Sequence, residues 1–263
     1  MIPISEHQDT VGPIARSVSD AAYVLSIIAG KDDSDNYTLA QPWFTTPDYT
    51  QALNLSSFQG ARIGIPRNIF IMDESDKPIM EAFENAIEVM KSAGAIIIDN
   101  ANYSAVDEWL ADIKDDTGKN MVVVRADFLS NLPEYLSKLQ SNPNNIHDLF
   151  DVRNFTQNFP LEEYPARNTL AWDFTLDLGF NNTDHRWWEA YQFTSYLGGP
   201  GGVTGALEKY NLDALAMPTK FAPSHSAYVG LPVVTVPLGF FPSNTEVVKT
   251  PDWDLVQVGP NIP

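Results

Sequence analysis

Arg62-Ile63-Gly64-Ile65-Pro66 and Ala95-Ile96-Ile97-Ile98-Asp99 bracket the segment from Asp76 to Gly94, and this trio decides the fold class. The first run is short and apolar, and it is stopped by a proline that restricts the residue before it. In the middle segment Ile79, Phe83, Ile87 and Met90 recur at helical spacing, with Asp76 at the N-cap and Gly94 at the stop. The last run has no polar face, which suits a strand covered on both sides. Strand, helix and strand in that order form a crossover unit, so the two strands should be parallel neighbours in one sheet. The class is therefore α/β, a mixed β-sheet flanked by helices.

Working outward toward the N-terminus, Ser17 can cap the amide of Asp20 while Asp20 reaches back, the reciprocal pattern of a capping box. Val18, Ala21, Ala22, Leu25, Ile28 and Ala29 follow at helical spacing and predict one buried stripe, which Gly30 ends in a left-handed stop. Lys31 to Asn36 is a polar connector. Its acidic residues lack the glycine and distal glutamate of a calcium loop, so a solvated loop is expected. Residues 41–60 carry Pro42, Pro47 and Gly60 without periodicity and read as an ordered surface loop.

Toward the C-terminus, Val122 to Phe128 and Leu132 to Leu139 look helical. Ser141-Asn142-Pro143-Asn144-Asn145 is a turn cluster, and Ile146 to Val152 suggests one more short helix. Gly198-Gly199-Pro200-Gly201-Gly202 lacks the Lys-Ser/Thr of a phosphate cradle and reads as a flexible turn leading into a helix from Val203 to Tyr210. Leu212-Asp213-Ala214-Leu215-Ala216-Met217-Pro218-Thr219 and Val229-Gly230-Leu231-Pro232-Val233-Val234-Thr235-Val236-Pro237-Leu238-Gly239 predict two buried strands.

Composition bounds the function. The chain has 263 residues, 44% of them hydrophobic, enough for a packed core. A net charge of −18 repels phosphate backbones and anionic headgroups, so no nucleic-acid partner is expected. No apolar run approaches the length of a membrane span. Cysteine is absent, which removes disulfides, thiolate metal clusters and a cysteine nucleophile. Five N-x-[ST] acceptor sequences, at Asn36, Asn54, Asn102, Asn154 and Asn181, favour a secretory route. Met1-Ile2-Pro3 lacks the basic and apolar regions of a signal peptide, so a secretion signal would lie upstream.

Local chemistry is sparse. His7, His147, His185 and His225 form no pair at metal-ligand spacing, so no metal is expected. Ser224, His225, Ser226 and Asp213 could make a Ser-His-Asp set on paper, but Ser224 is on no nucleophile elbow. Trp187 and Trp188, beside His185, suit packing better than a pocket for an aromatic substrate.

Resemblance supplies what spacing does not. Asp9-Thr10-Val11-Gly12-Pro13-Ile14-Ala15-Arg16-Ser17-Val18-Ser19-Asp20-Ala21-Ala22, followed by Ile28-Ala29-Gly30-Lys31-Asp32, resembles a hallmark segment of the amidase signature family. That family hydrolyses amide carbon–nitrogen bonds and includes fungal-type amidases and glutamyl-tRNA amidotransferase-like enzymes. Asn154 to Pro165 is similar to a fungal-type segment that packs over the substrate entrance. The stretches ending in Pro218-Thr219 and running from Gly230 to Gly239 resemble late motifs of the family, the first ending beside the acyl pocket. The resemblance therefore implies substrate contacts at Pro218, Thr219 and Gly230, and structural support of the site by Asp9 and Thr10. In relatives the aspartate matching Asp9 pairs with an arginine beside the nucleophile. Here that partner is missing from the sequence, and a turn-forming or capping role for Asp9 is the plain alternative.

The family's machinery, as the resemblance implies, is a serine nucleophile, a second serine on a cis peptide and a lysine base, with backbone amides as oxyanion hole. No residue of this sequence matches the nucleophile, the second serine or the lysine, and no Gly-Gly-Ser-Ser-Gly-Gly run occurs. The expectation is that residues 1–263 are a partial amidase signature domain, lacking the nucleophile- and lysine-bearing N-terminal part and the closing C-terminal segment. It would be inactive alone and act on a small-molecule amide once completed, with no cofactor. Incomplete covering of Ile63, Ile65, Ile96, Ile98, Val233 and Val236 predicts a complementing chain or self-association. The alternative is a non-catalytic pseudo-amidase or interaction module that keeps the scaffold.

Overall fold

The computed structural model describes residues 1–114, 118–250 and 255–262 and, at Leu55, the backbone. In chain order the elements are α1 (Val18–Ile28), α2 (Asn36–Leu39), β1 (Arg62–Ile65), α3 (Lys77–Ser92), β2 (Ile96–Asp99), α4 (Val106–Asp112), α5 (Lys119–Ser137) and α6 (Leu149–Asn158). They continue with α7 (Leu170–Asp177), α8 (His185–Gly198), α9 (Val203–Tyr210), β3 (Ala214–Leu215), α10 (Pro223–Ala227), β4 (Val248–Lys249) and β5 (Val256–Val258).

The crossover unit forms as its residues dictate. β1 pairs parallel with β2, Arg62 opposite Ile96 and Ile65 opposite Asp99, and α3 joins them. β3 adds to the other edge of β1, also parallel, giving the order β2-β1-β3. β4 and β5 form a separate antiparallel pair. The α/β class is what the structure shows. Phe83 and Ile87 of α3 pack on Ile63, Ile65 and Ala95, making one apolar core. A second core joins Ile69, Tyr103, Trp109, Leu197, Val203 and Phe221. A helical layer of α5 against α8, with α6 and α7 beside α5, completes the body.

Gly64 sits in the middle of β1 because nothing larger fits. An added Cβ would run into Leu212 Cδ1 and lie 2.9 Å from both Ala101 Cβ and Leu215 Cδ2. The glycine-dense turn is buried and tight, contrary to the flexible turn expected. A Cβ on Gly201 would stand 2.6 Å from Ala105 Cβ, and one on Gly202 would collide with the Leu197 carbonyl. Backbone close approach is what this turn needs glycine for.

Several expectations are corrected. Ser17 does cap Asp20, with Ser17 Oγ donating to the Asp20 carboxylate, but no residue of α1 is buried. Ala21, Ala22 and Leu25 are half-covered, while Val18 and Ile28 are exposed, because the neighbour packed on α1 is the short turn Tyr49–Ala52. The helix ends with Ala29 extended, and Gly30 is near-extended too. Asp76 stands at the start of α3, but its side chain accepts from the Asp73 amide instead of from α3. The two helical stretches around Pro133 form one helix, α5, and the helix expected from Ile146 begins at Leu149 under an Asp148 cap.

The two late strands shrink most. Between Leu212 and Thr219 only Ala214–Leu215 pairs, and Ala214 is exposed. Val229 to Gly239 forms no strand, and Val233, Val234, Val236 and Leu238 are exposed. An apolar run becomes a buried strand when neighbours take up its amides and carbonyls. No ladder partner for residues 232–240 lies among the described residues.

Candidate functional site

The late segment is organised by a short 3-10 turn, Thr219–Phe221, capped by Pro218. Pro218 is buried, Thr219 exposed. Phe221 stacks on Phe70 at 5.2 Å between ring centroids and drops into the second core. Lys220 next to it reaches the buried carboxylate of Asp76 at 2.7 Å, so this ion pair holds the turn to the start of α3. Asp76 also accepts from the Asp73 amide, which leaves the carboxylate paired and hydrogen-bonded as burial demands.

α10 follows. Its His225 is 2% exposed and lies against Tyr103 and Trp109, each at 4.8 Å between ring centroids, with Tyr228 at 6.0 Å. Burial pushes this imidazole down to about 4 and the neighbouring Tyr228 phenol up to about 12, Asp112 adding to the latter. Among the described residues neither Nδ1 of His225 nor the Tyr103 hydroxyl has a hydrogen-bond partner. The Ser-His-Asp set weighed from sequence is not assembled: Asp213 instead accepts from the Arg62 amide at 2.8 Å. Gly230 comes just after, exposed, at φ +67°, where glycine is favoured. The Leu231 amide donates to the Ser226 carbonyl at 2.9 Å, tying Gly230 back to α10.

Pro218, Thr219 and Gly230 thus belong to one tethered segment. Asp9 and Thr10 belong to another, the N-terminal arm. Asp9 accepts from the amides of Ile4 and Ser5 at 2.8 and 3.2 Å, so it closes a local turn, and Thr10 is exposed beyond it. None of these five residues lines the groove of about 510 Å³ between α5, α7 and Ile4, whose walls include Met121, Val124, Phe128 and Trp172.

Sequence reasoning missed the polar cluster under the arm. Asp127 of α5 is fully buried and accepts from Ser5 Oγ at 2.6 Å, from His7 Nδ1 at 2.9 Å and from Asn182 Nδ2 at 3.0 Å. A carboxylate at an otherwise apolar helix position, four residues after Val123, was the available signal. Trp187 stacks on Tyr191 beside His7, which is packing, whereas Trp188 and His185 are exposed. Among the described residues no group of three or more His, Asp or Glu side chains could hold a metal ion, and no helix is long and apolar enough to cross a membrane.

Comparison with known proteins assigns the scaffold. The Amidase family model matches residues 1–247. A protein of Arthroderma benhamiae named as an amidase is 46% identical over all of this chain and 43% of its own length. A glutamyl-tRNA(Gln) amidotransferase subunit of Chloroflexus aurantiacus is 41% identical over 38% of this chain and 19% of its own. The solved peptide amidase of Stenotrophomonas maltophilia superposes with a TM-score of 0.70 at 27% identity, over 88% of this chain and 47% of that one. The chain spans less than half the length of the long relatives it matches across most of its residues. By its family match and by its fold, it belongs to the amidase family.

Proposed function

We propose that residues 1–263 are a section of an amidase signature domain that hydrolyses amide carbon–nitrogen bonds, with the nucleophile, second serine and lysine supplied by residues outside the chain. The observation that carries this reading is the likeness to a peptide amidase over 88% of the chain, in a sequence holding no match to the family's serine and lysine residues. On this reading Pro218, Thr219 and Gly230 face the acyl side of the substrate, and the tether from Lys220 to Asp76 holds them in place. Asp9 and Thr10 support the loop that carries the nucleophile. No cofactor enters, and the sequons at Asn36, Asn54 and Asn154 are exposed, as glycosylation along a secretory route would need.

The exposed apolar surface supports a missing cover. Ile27 is 81% exposed and Val234 71%, with Val236 and Leu238 beside the latter. Fully burying one such side chain is worth about 1.5–3 kcal/mol, so a covering segment has much to gain there. A second reading, a non-catalytic module that keeps the scaffold, is favoured by the absence of the glycine- and serine-rich run alone.

The test is an amide-hydrolysis assay on a peptide amide. Purified residues 1–263 are measured alone and then with the remaining part of a full-length amidase domain, taken from the Arthroderma benhamiae relative, supplied in trans. Turnover with the added part and none without it supports the reading. No turnover from a folded, stoichiometric complex favours the non-catalytic module.

A further inference from the structure

The N-terminal arm is fastened to the helical layer residue by residue. Ser5 Oγ and His7 Nδ1 both bond Oδ2 of Asp127, and the intervening Glu6 amide donates to Asn131 Oδ1 at 2.9 Å. Asp127 and Asn131 lie one turn apart on α5, so three consecutive arm residues are held by two stacked helix positions. The opposite oxygen of Asp127 takes Nδ2 of Asn182. Ser130 donates to Asn182 Oδ1 at 2.7 Å, which fixes the direction of that amide. The His7 ring is lodged against Trp187 at 4.9 Å, Tyr191 at 5.4 Å and Tyr37 at 6.5 Å between centroids.

A fully buried carboxylate with three donors is a poor way to gain stability, since well-packed apolar residues often do as well. What it adds is direction, because each oxygen accepts only along its lone pairs. That direction is passed on without slack. Asp9 folds back onto the Ile4 and Ser5 amides, and the Gln8 and Asp9 amides donate to the Ser5 carbonyl at 3.0 and 2.7 Å, so residues 4–9 form one closed turn.

We propose that Asp127 is a positioning residue, clamping the turn of residues 4–9 through Ser5 and His7 and so setting where Asp9 and Thr10 stand. Its consequence for catalysis rests on the amidase reading above, in which Asp9 and Thr10 support the nucleophile loop.

The test separates the clamp from the reading. Hydrogen exchange of residues 4–12 is measured in wild type, His7→Asn, His7→Leu and Asp127→Asn. Asparagine keeps a donor near the place of Nδ1, and leucine of similar size does not. Exchange at the hydrogen-bonded amides of Ile4, Ser5, Glu6, Gln8 and Asp9 should rise at least tenfold in His7→Leu and Asp127→Asn and less than threefold in His7→Asn, with α3 and β1 unchanged. The two His7 variants act from the arm side, so they decide the matter even where Asp127→Asn fails to fold. In the complemented enzyme the leucine variant should lower kcat at least tenfold and leave KM within twofold. Equal exchange in His7→Asn and His7→Leu, or a loosened arm with unaltered kcat in an enzyme that turns over, overturns the proposal. Absent turnover in wild type counts against the amidase reading, and the exchange data then decide the clamp by themselves.

Discussion

Replacing His225 by phenylalanine should flatten the acid side of the stability curve. The imidazole is enclosed by Tyr103, Trp109 and Tyr228, and burial lowers it from an ordinary 6.5 to about 4. The folded state therefore excludes a proton that the unfolded chain accepts. Stability from this group is complete above pH 6.5, falls as pH drops toward 4, and is constant below that. The gap between 6.5 and about 4 corresponds to about 3 kcal/mol. Phenylalanine keeps the ring contacts and removes both the titration and an Nδ1 that has no partner among the described residues, so at pH 7.5 it should lie within about 1 kcal/mol of wild type. Urea unfolding of both proteins at pH 7.5, 6.0, 5.0 and 4.0 (roughly spanning the two limits) gives the comparison, and the difference between curves cancels the carboxylates common to both. Wild type should lose about 3 kcal/mol more than the variant across that range. Parallel curves would refute the reasoning, because His225 would then be as easily protonated folded as unfolded.

Three further outcomes follow from the packing. Gly64→Ala should cost about 1–3 kcal/mol in urea unfolding, since the new methyl must displace Leu212 and press on Ala101 and Leu215; an unchanged midpoint would mean β1 has room that the geometry denies. Lys220→Met leaves the Asp76 carboxylate buried without its cation, and with the lysine side chain 37% exposed the cost should be about 1–2 kcal/mol, whereas Lys220→Arg should recover most of it. Ile27→Asp with Val234→Asp should reduce self-association in sedimentation experiments while shifting the melt by no more than about 0.5 kcal/mol, because both side chains already face solvent.

What was legible in the sequence is what is decided locally or by period. Arg62 to Asp99 shows its strand, helix and strand because residues a few positions apart choose that conformation together. The Ser17 cap and α9 were legible for the same reason. The run from Val229 to Gly239 shows apolar residues, which state a capacity for burial without saying what covers them. The α1 stripe misled in the same way, since its residues meet one short turn and then solvent. Gly201 and Gly202 are glycines because other backbone comes close, a three-dimensional fact that looks like flexibility in one dimension. Of the site, Asp9 was legible as a turn former. The hold of Asp127 on Ser5 and His7, which anchors the turn that Asp9 closes, was hidden because those partners lie more than a hundred residues apart.

Labelling with a serine-directed fluorophosphonate, read by intact mass of each chain, tests the central claim most directly. The account predicts that residues 1–263 keep their unmodified mass both alone and beside the complementing segment, while turnover is blocked and the label sits on that segment. Amide turnover by purified residues 1–263, lost on labelling one of their own serines, would contradict it.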